Sequence, residues 1–414
     1  MELIFWKRII FLERILYGMY WERGFNAFNS LFFLIVVTRI NGLEQAGMFT
    51  LAYSTSCIIY VIGIYAGRIY QVTEADNTIN DREFILNRLI STLLMIILIL
   101  IFIILKKYDI FKAMVFFLLT LTKALEAFSD VIYGILQKKE KLEIAGKSLF
   151  FKSLISIIVF IILDIITKNL IISIIGIIIV NIIMLIMFDF YYCKKNIDDI
   201  RIINKVHIIK IFKYGFFTFA ITFLGMYILN SPKYAIDNFL ENDFQTIFGI
   251  IVMPATVVSL VAQFLIHPYL NQLYDFYTKK ELKEFNKLIF KLIVIVIMFG
   301  LLASIAAFLI GTQALGLVYG IDLTEYKTAL AIIIVSATLY TIGTIYSSAL
   351  TTVRATFSQF IMYILVSCYA FIASNFFIAK FYLNGAIFAY FSIMLIQSLL
   401  YVIYSNFKLK KVFK

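Results

Sequence analysis

Twelve apolar runs, each about as long as a bilayer is thick, constrain this chain more than any other feature. Six precede the polar stretch at residues 189–214 (DFYYCKKNIDDIRIINKVHIIKIFKY) and six follow it. The helices are predicted near 17–40, 46–69, 84–105, 110–136, 148–166 and 169–193, then near 212–230, 244–270, 285–311, 326–352, 356–378 and 383–406. At 1.5 Å rise per residue, about 20 residues cross roughly 30 Å of hydrocarbon. The expected architecture is an all-α integral membrane protein of about twelve transmembrane helices in two six-helix lobes. Residues 1–195 would form the N-terminal lobe, 196–210 a cytoplasmic hinge loop and 211–414 the C-terminal lobe.

Composition supports the membrane. Of 414 residues, 62% are hydrophobic and 15% charged, against about 25% charged in a soluble domain. A water-soluble fold of this length needs a charged surface, whereas helices facing lipid are apolar all round.

The net charge of +12 is explained first by topology. The connections sharing a side with the termini and hinge hold 28 Lys and Arg, the opposite side holds 8, and Lys123 lies inside a helix. The positive-inside rule then places both termini and the hinge in the cytoplasm, and no nucleic-acid partner is expected. Lys7, Arg8, Glu13 and Arg14 interrupt the first apolar positions and no small-residue cleavage site follows, so the first membrane helix is expected to direct insertion.

The opposite-side connections are short, the longest near 231–243 and 312–325, which leaves no room for a catalytic domain. The chain is therefore not expected to be an enzyme. It has no GxxxxGK[ST] or GxGxxG segment between a strand and a helix. Cys57, Cys193 and Cys368 have no paired or metal-ligand spacing, and His207 and His267 lie far apart. No disulfide, metal or cofactor is expected. An even number of helices per half implies a parallel repeat, echoed where Glu44, Gln45 and Phe49 match Asp243, Gln245 and Phe248.

Ionisable side chains inside a bilayer cost roughly 2.5–3.5 kcal/mol each on insertion scales, so they face protein or water. In helix four, Lys123, Glu126 and Asp130 are spaced by three and four, and Tyr133 and Gln137 continue that face. Glu126 or Asp130 could bind the coupling proton or cation, with Lys123 contacting an anionic substrate; alternatively the three neutralise one another structurally. Helix one begins with Glu22, Arg23, Asn26, Asn29 and Ser30 on one side and ends at Arg39, while Arg68 ends helix two. These arginines either snorkel to headgroups or offer planar forks to a diphosphate.

Helix eight presents Thr256, Ser259, Gln263 and His267 on one stripe, with Pro254 and Pro268 expected to bend or end it. The stripe suits sugar hydroxyls or helix packing, as do Thr341, Thr344 and Ser348 of helix ten. Residues 231–237 (SPKYAID) combine the helix breaker Pro232 with a Lys233 to Asp237 pair and read as a gate-side turn or a plain loop. Asp198 and Asp199 read as a solvated loop.

Several stretches together carry a resemblance: residues 38–42 (TRING) leading into 46–49 (AGMF), 67–71 (GRIYQ), 123–147 (KALEAFSDVIYGILQKKEKLEIAGK), 231–237 and 271–285 (NQLYDFYTKKELKEF). The chain resembles the Wzx-type polysaccharide flippases of the multidrug/oligosaccharidyl-lipid/polysaccharide (MOP) exporter superfamily. That resemblance implies two lobes in a V, with helices one, two, seven and eight lining a central cavity. It implies a substrate of undecaprenyl-diphosphate-linked oligosaccharide, turned from the cytoplasmic to the outer leaflet of a bacterial plasma membrane for capsule or O-antigen synthesis, with polysaccharide polymerase machinery as a candidate partner. Arg23, Arg39 and Arg68 would map to the cavity-side helices and Lys123, Glu126 and Asp130 to a lobe-facing one.

The dense arginine cluster of the peptidoglycan-lipid flippases is missing, as is the acidic cluster in helix one of the drug exporters. A major-facilitator transporter would carry a Gly-Asp-Arg-Gly-Arg type of loop where this chain reads GRIYQVTEADNTINDREF from Gly67. A membrane glycan polymerase needs an outer catalytic region that the short loops do not provide.

Overall fold

The structure is a computed structural model describing residues 29–65, 67–73, 78–197 and 203–412. The expected start of helix one, with Glu22, Arg23 and Asn26, and the pair Asp198 and Asp199 lie outside the described residues. The chain divides into two compact units, one ending at Phe219 and one beginning at Ala220.

In the first unit, α1 is described over Asn29–Asn41 and is followed by α2 (Leu43–Ile64), the short α3 (Gly67–Thr73), α4 (Asp81–Lys106), α5 (Ile110–Lys138), α6 (Leu142–Thr167) and α7 (Leu170–Asn196). Helix α8 (Lys205–Phe239) starts in the first unit and continues into the second. The second unit adds α9 (Asn242–Ile266), α10 (Leu270–Thr278), α11 (Leu282–Tyr319), α12 (Thr324–Thr352) and α13 (Thr356–Val412).

Among the described residues, nine helices are long and apolar enough to cross a membrane. Three further apolar helical segments are found among the described residues. Helix α1 is described only from Asn29. Helix α5 has 29 residues but carries Lys112, Lys123, Glu126 and Asp130. Helix α13, 57 residues long, is two helices back to back, reversing at Tyr382 with φ 52° and ψ −132°. The reversal is tight: a Cβ on Gly385 would lie 2.1 Å from the Phe377 carbonyl oxygen.

The bilayer provides no water for free backbone groups, so these helices are capped where they leave it. Asn80 and Glu83 form a reciprocal capping box on α4, Asp109 accepts from the Lys112 amide on α5, and Asn169 accepts from Ile171 and Ile172 on α7. Tyr65, Lys107, Lys168 and Gly320 end α2, α4, α6 and α11 in the left-handed conformation. Before α12, two hydrogen bonds from Thr324 hold the exposed Asp322 carboxyl below its usual range.

Helices α4 and α6 are built inside out. The buried face of α4 includes Asp81, Glu83, Asn87, Arg88, Ser91 and Thr92, while Leu93, Ile97, Ile104 and Leu105 are exposed. The buried face of α6 includes Ser148, Lys152, Ser153, Ser156 and Asp164, while Ile158, Ile162 and Ile166 are exposed. Because lipid replaces water outside, the apolar face turns outward and the polar face must find partners within the bundle.

Several expected boundaries shift. Helix two stops at Ile64, and Arg68 sits on the separate α3. Residues 231–237 are helical, not a turn, and α8 runs to Phe239. Pro232 removes the amide that would serve the Ile228 carbonyl, and the Ser231 hydroxyl donates to that oxygen instead at 3.1 Å. Pro254 lies inside α9, which passes through it and tightens to a 3-10 turn only at His267–Tyr269. Helix α11 extends to Tyr319, into the loop expected at 312–325.

Among its described residues, the polar stretch at 189–214 is mostly helical. Helix α7 runs on to Asn196, and α8 starts at Lys205 because the Asn204 side chain accepts from the Val206 amide. Arg88 and Lys152, counted above with the cytoplasmic connections, are buried in the bundle and paired with acids.

Candidate functional site

The first unit holds a partly open cavity of about 60 Å³, room for a few waters. Its lining is polar for a membrane interior and includes Asn29 from α1, Tyr53 and Tyr60 from α2, Lys123, Glu126 and Asp130 from α5, Lys152 and Ser156 from α6 and Asn181 from α7. Asn29 Oδ1, Ser156 Oγ and Asn181 Oδ1 are buried without a protein hydrogen bond. All three line this cavity, so water or a ligand there can satisfy them.

Three charged groups surround it. In the first, Lys123 Nζ lies 2.7 Å from Glu126 Oε2 and faces the rings of Tyr53 and Tyr60 at 5.1 and 6.0 Å. Aromatic faces stabilise the desolvated ammonium, leaving the Glu126 carboxylate the most accessible of the paired acids on α5.

In the second, Asp130 is shared by two arginines. Arg88 Nη2 is 2.9 Å from Asp130 Oδ2, and Arg68 Nη1 is 3.4 Å from Oδ1. Arg88 also donates to the Gly63 carbonyl at 3.3 Å, and Arg68 to Gln137 Oε1 at 3.1 Å. Arg88 therefore sits in the crook of the break between α2 and α3, where a Cβ on Gly67 would approach its guanidinium to 3.2 Å. Next to the break, Tyr65 stacks on Phe219 at 4.4 Å and meets Phe212 edge-on at 4.8 Å.

In the third, Lys152 donates to Asp189 Oδ2 at 2.9 Å and to Ser129 Oγ at 2.6 Å, while Ser148 donates to Asp189 Oδ1. Asp189 closes a π-helical turn, Leu185–Asp189, in α7. Near the cytoplasmic end predicted for α4, Glu83 accepts from the backbone amides of Asn80 and Asn204 and contacts His207 Nδ1 at 3.0 Å.

Of the residues singled out in the sequence, the structure brings Arg68, Lys123, Glu126 and Asp130 together in the first unit. Arg39 is exposed at the end of α1. Gln263 lies half-buried on α9 in the second unit, and only the backbone of His267 is described. Lys233 and Asp237 are one turn apart on α8. Thr341, Thr344 and Ser348 donate back to carbonyls of their own helix, which fits packing better than ligand binding.

Arg88, Lys152 and Asp189 were missed. The available signal was the spacing by four of Ser148, Lys152 and Ser156 and the isolated Arg88 in an apolar run.

Together the apolar helices and the polar interior of the first unit define a helical membrane protein with the fold of the MOP-superfamily transporters. An inward-facing multidrug resistance MATE family transporter of that superfamily superposes with a TM-score of 0.74 at 13% identity, covering 93% of this chain and 95% of that one. The Vibrio cholerae MATE transporter VcmN in its bent form gives 0.60 at 10% identity, over 97% of this chain and 98% of that one.

In sequence, the chain is similar to the capsular polysaccharide biosynthesis protein CapF of Staphylococcus aureus, 25% identical over 312 residues that span 74% of this chain and 77% of CapF. No protein-family model matches the chain.

Proposed function

We propose that this protein is a flippase for lipid-linked oligosaccharide. It carries undecaprenyl-diphosphate-linked repeat units from the cytoplasmic to the outer leaflet of a bacterial plasma membrane, by alternating access, and makes or breaks no covalent bond. The observation carrying this reading is the similarity to a capsular polysaccharide biosynthesis protein, in a chain whose fold is shared with MATE family transporters.

The interior of the first unit supports it. Ionised groups inside a bilayer are retained where they act on substrate or coupling ion, and Lys123 and Glu126 line a cavity. In this reading Glu126 exchanges the coupling ion, and Lys123 and Arg68 contact the anionic part of the substrate. Asp130, held by two arginines, sets their position. Glu22, Arg23, Asn26 and Arg39 would extend the substrate path along helix one, Gln263 and His267 would meet glycan hydroxyls, and Pro232, Lys233 and Asp237 would mark a gate on α8. Both termini are cytoplasmic in this orientation.

The test is a deletion strain. Loss of the gene should leave lipid-linked oligosaccharide accumulating on the inner leaflet and deplete surface polysaccharide, and the chain expressed in trans should restore both. Unchanged surface polysaccharide with altered drug or sugar uptake would overturn the proposal.

A further inference from the structure

The second unit carries a larger, half-open pocket of about 540 Å³, within the range of small-ligand sites. It lies where α9 and α12 begin and α13 reverses, and Tyr382 stands on its wall. The backbone of Tyr382, at φ 52° and ψ −132°, occupies a region comfortable only for glycine. Packing does not account for a tyrosine there, since 66% of it is exposed. A strained and uncovered side chain is a candidate for contact with a ligand.

The rest of the lining has a definite chemistry. Phe244, Tyr326, Phe381 and Phe388 supply further aromatic surface, and Glu325 and Asn384 add a carboxylate and an amide. Among the described residues the lining holds no lysine or arginine, the Lys380 ammonium lying 5.6 Å from the Phe381 ring, which makes this a poor phosphate site. An acyl chain would make no use of the exposed carboxylate and amide. A sugar satisfies both halves, its C–H face lying on aromatic rings and its hydroxyls bonding to carboxylate and amide.

We propose that this cavity is a glycan-binding subsite on the outer side of the second unit, taking sugar rings of the exported oligosaccharide with Tyr382 as stacking platform and Glu325 and Asn384 as hydroxyl partners. The proposal rests on the flippase reading and on the orientation with cytoplasmic termini.

The full chain, reconstituted in nanodiscs of phosphatidylethanolamine and phosphatidylglycerol, is titrated with water-soluble oligosaccharide released by mild acid from the lipid carrier of the deletion strain. The Y382W variant should give a saturable fluorescence change, lost when E325Q and N384A are added. The Y382G variant, relieved of strain, should melt no lower than the parent yet restore surface polysaccharide less well.

Absence of a saturable change, in a chain that does restore polysaccharide, overturns the subsite and leaves the flippase reading standing. Failure of the unmodified chain to restore polysaccharide overturns the flippase reading instead. A fluorescence change that follows phosphatidylethanolamine content and ignores oligosaccharide means a headgroup or an interfacial anchor, and also overturns the subsite.

Discussion

Arg88, only 2% exposed, places a guanidinium nitrogen 2.9 Å from Asp130 across the interface of α4 and α5, and Arg68 approaches the same carboxylate from α3 at 3.4 Å. One acid thus holds two arginines, and through them both sides of the break that ends α2. The arrangement turns isolated charges in apolar helices into a brace.

Breaking this brace from one side should be costly. Arg88→Gln leaves Asp130 with its weaker partner alone, and Asp130→Asn takes the carboxylate from the buried Arg88 guanidinium. Each is expected to destabilise the purified protein by about 3–5 kcal/mol, the usual penalty for an uncompensated buried charge. The double variant should lose less than the sum, read as thermal unfolding in detergent.

Glu126 and Lys123 form the pair most open to the cavity, with side chains 26% and 10% exposed. Glu126→Gln should lower polysaccharide export by about tenfold or more, equivalent to ~1.4 kcal/mol, at unchanged protein level. Full export by Glu126→Gln in the deletion strain would assign the pair a purely structural role.

Ser231 substitutes for the amide that Pro232 lacks, and it also contacts Ser374 at 3.1 Å. Ser231→Ala is expected to destabilise by roughly 0.6–2 kcal/mol, the scale of hydrogen bonds between membrane helices. Pro232→Ala restores an N–H to the Ile228 carbonyl, so adding it to Ser231→Ala should recover part of the loss in the same melting experiment.

The π-helical turn Leu185–Asp189 aims Asp189 at Lys152. Deleting one residue of that turn would rotate Asp189 by about 100° relative to the preceding helix and uncouple the pair. The deletion should destabilise at least as much as Asp189→Asn, and Lys152→Met, harmful alone, should add little to it.

Much of the fold was legible because a bilayer imposes a length and an apolarity that few other environments demand. The runs around α4 and α7 could be placed within a few residues, and the stripe of Lys123, Glu126 and Asp130 announced itself by charge in an apolar helix. Helix ends were less legible. Pro232 and Pro254 signal breaks in sequence, yet a neighbouring hydroxyl serves the orphaned carbonyl at the first, and α9 passes through the second. Conversely, the break after Ile64 carries no proline and shows only as Tyr65 in the left-handed region beside Arg88.

The sequence by itself determined that this chain lives in a membrane, that its apolar helices flank one polar stretch and that α5 carries charge inward. Hydrophobicity and spacing are local properties, readable one helix at a time. Which acid each buried cation answers was decided only by the tertiary structure: Asp130 lies 42 positions from Arg88, and Asp189 lies 37 from Lys152. Such partners meet only when helices distant in sequence pack side by side, because in lipid a charge must find its counterpart inside the protein.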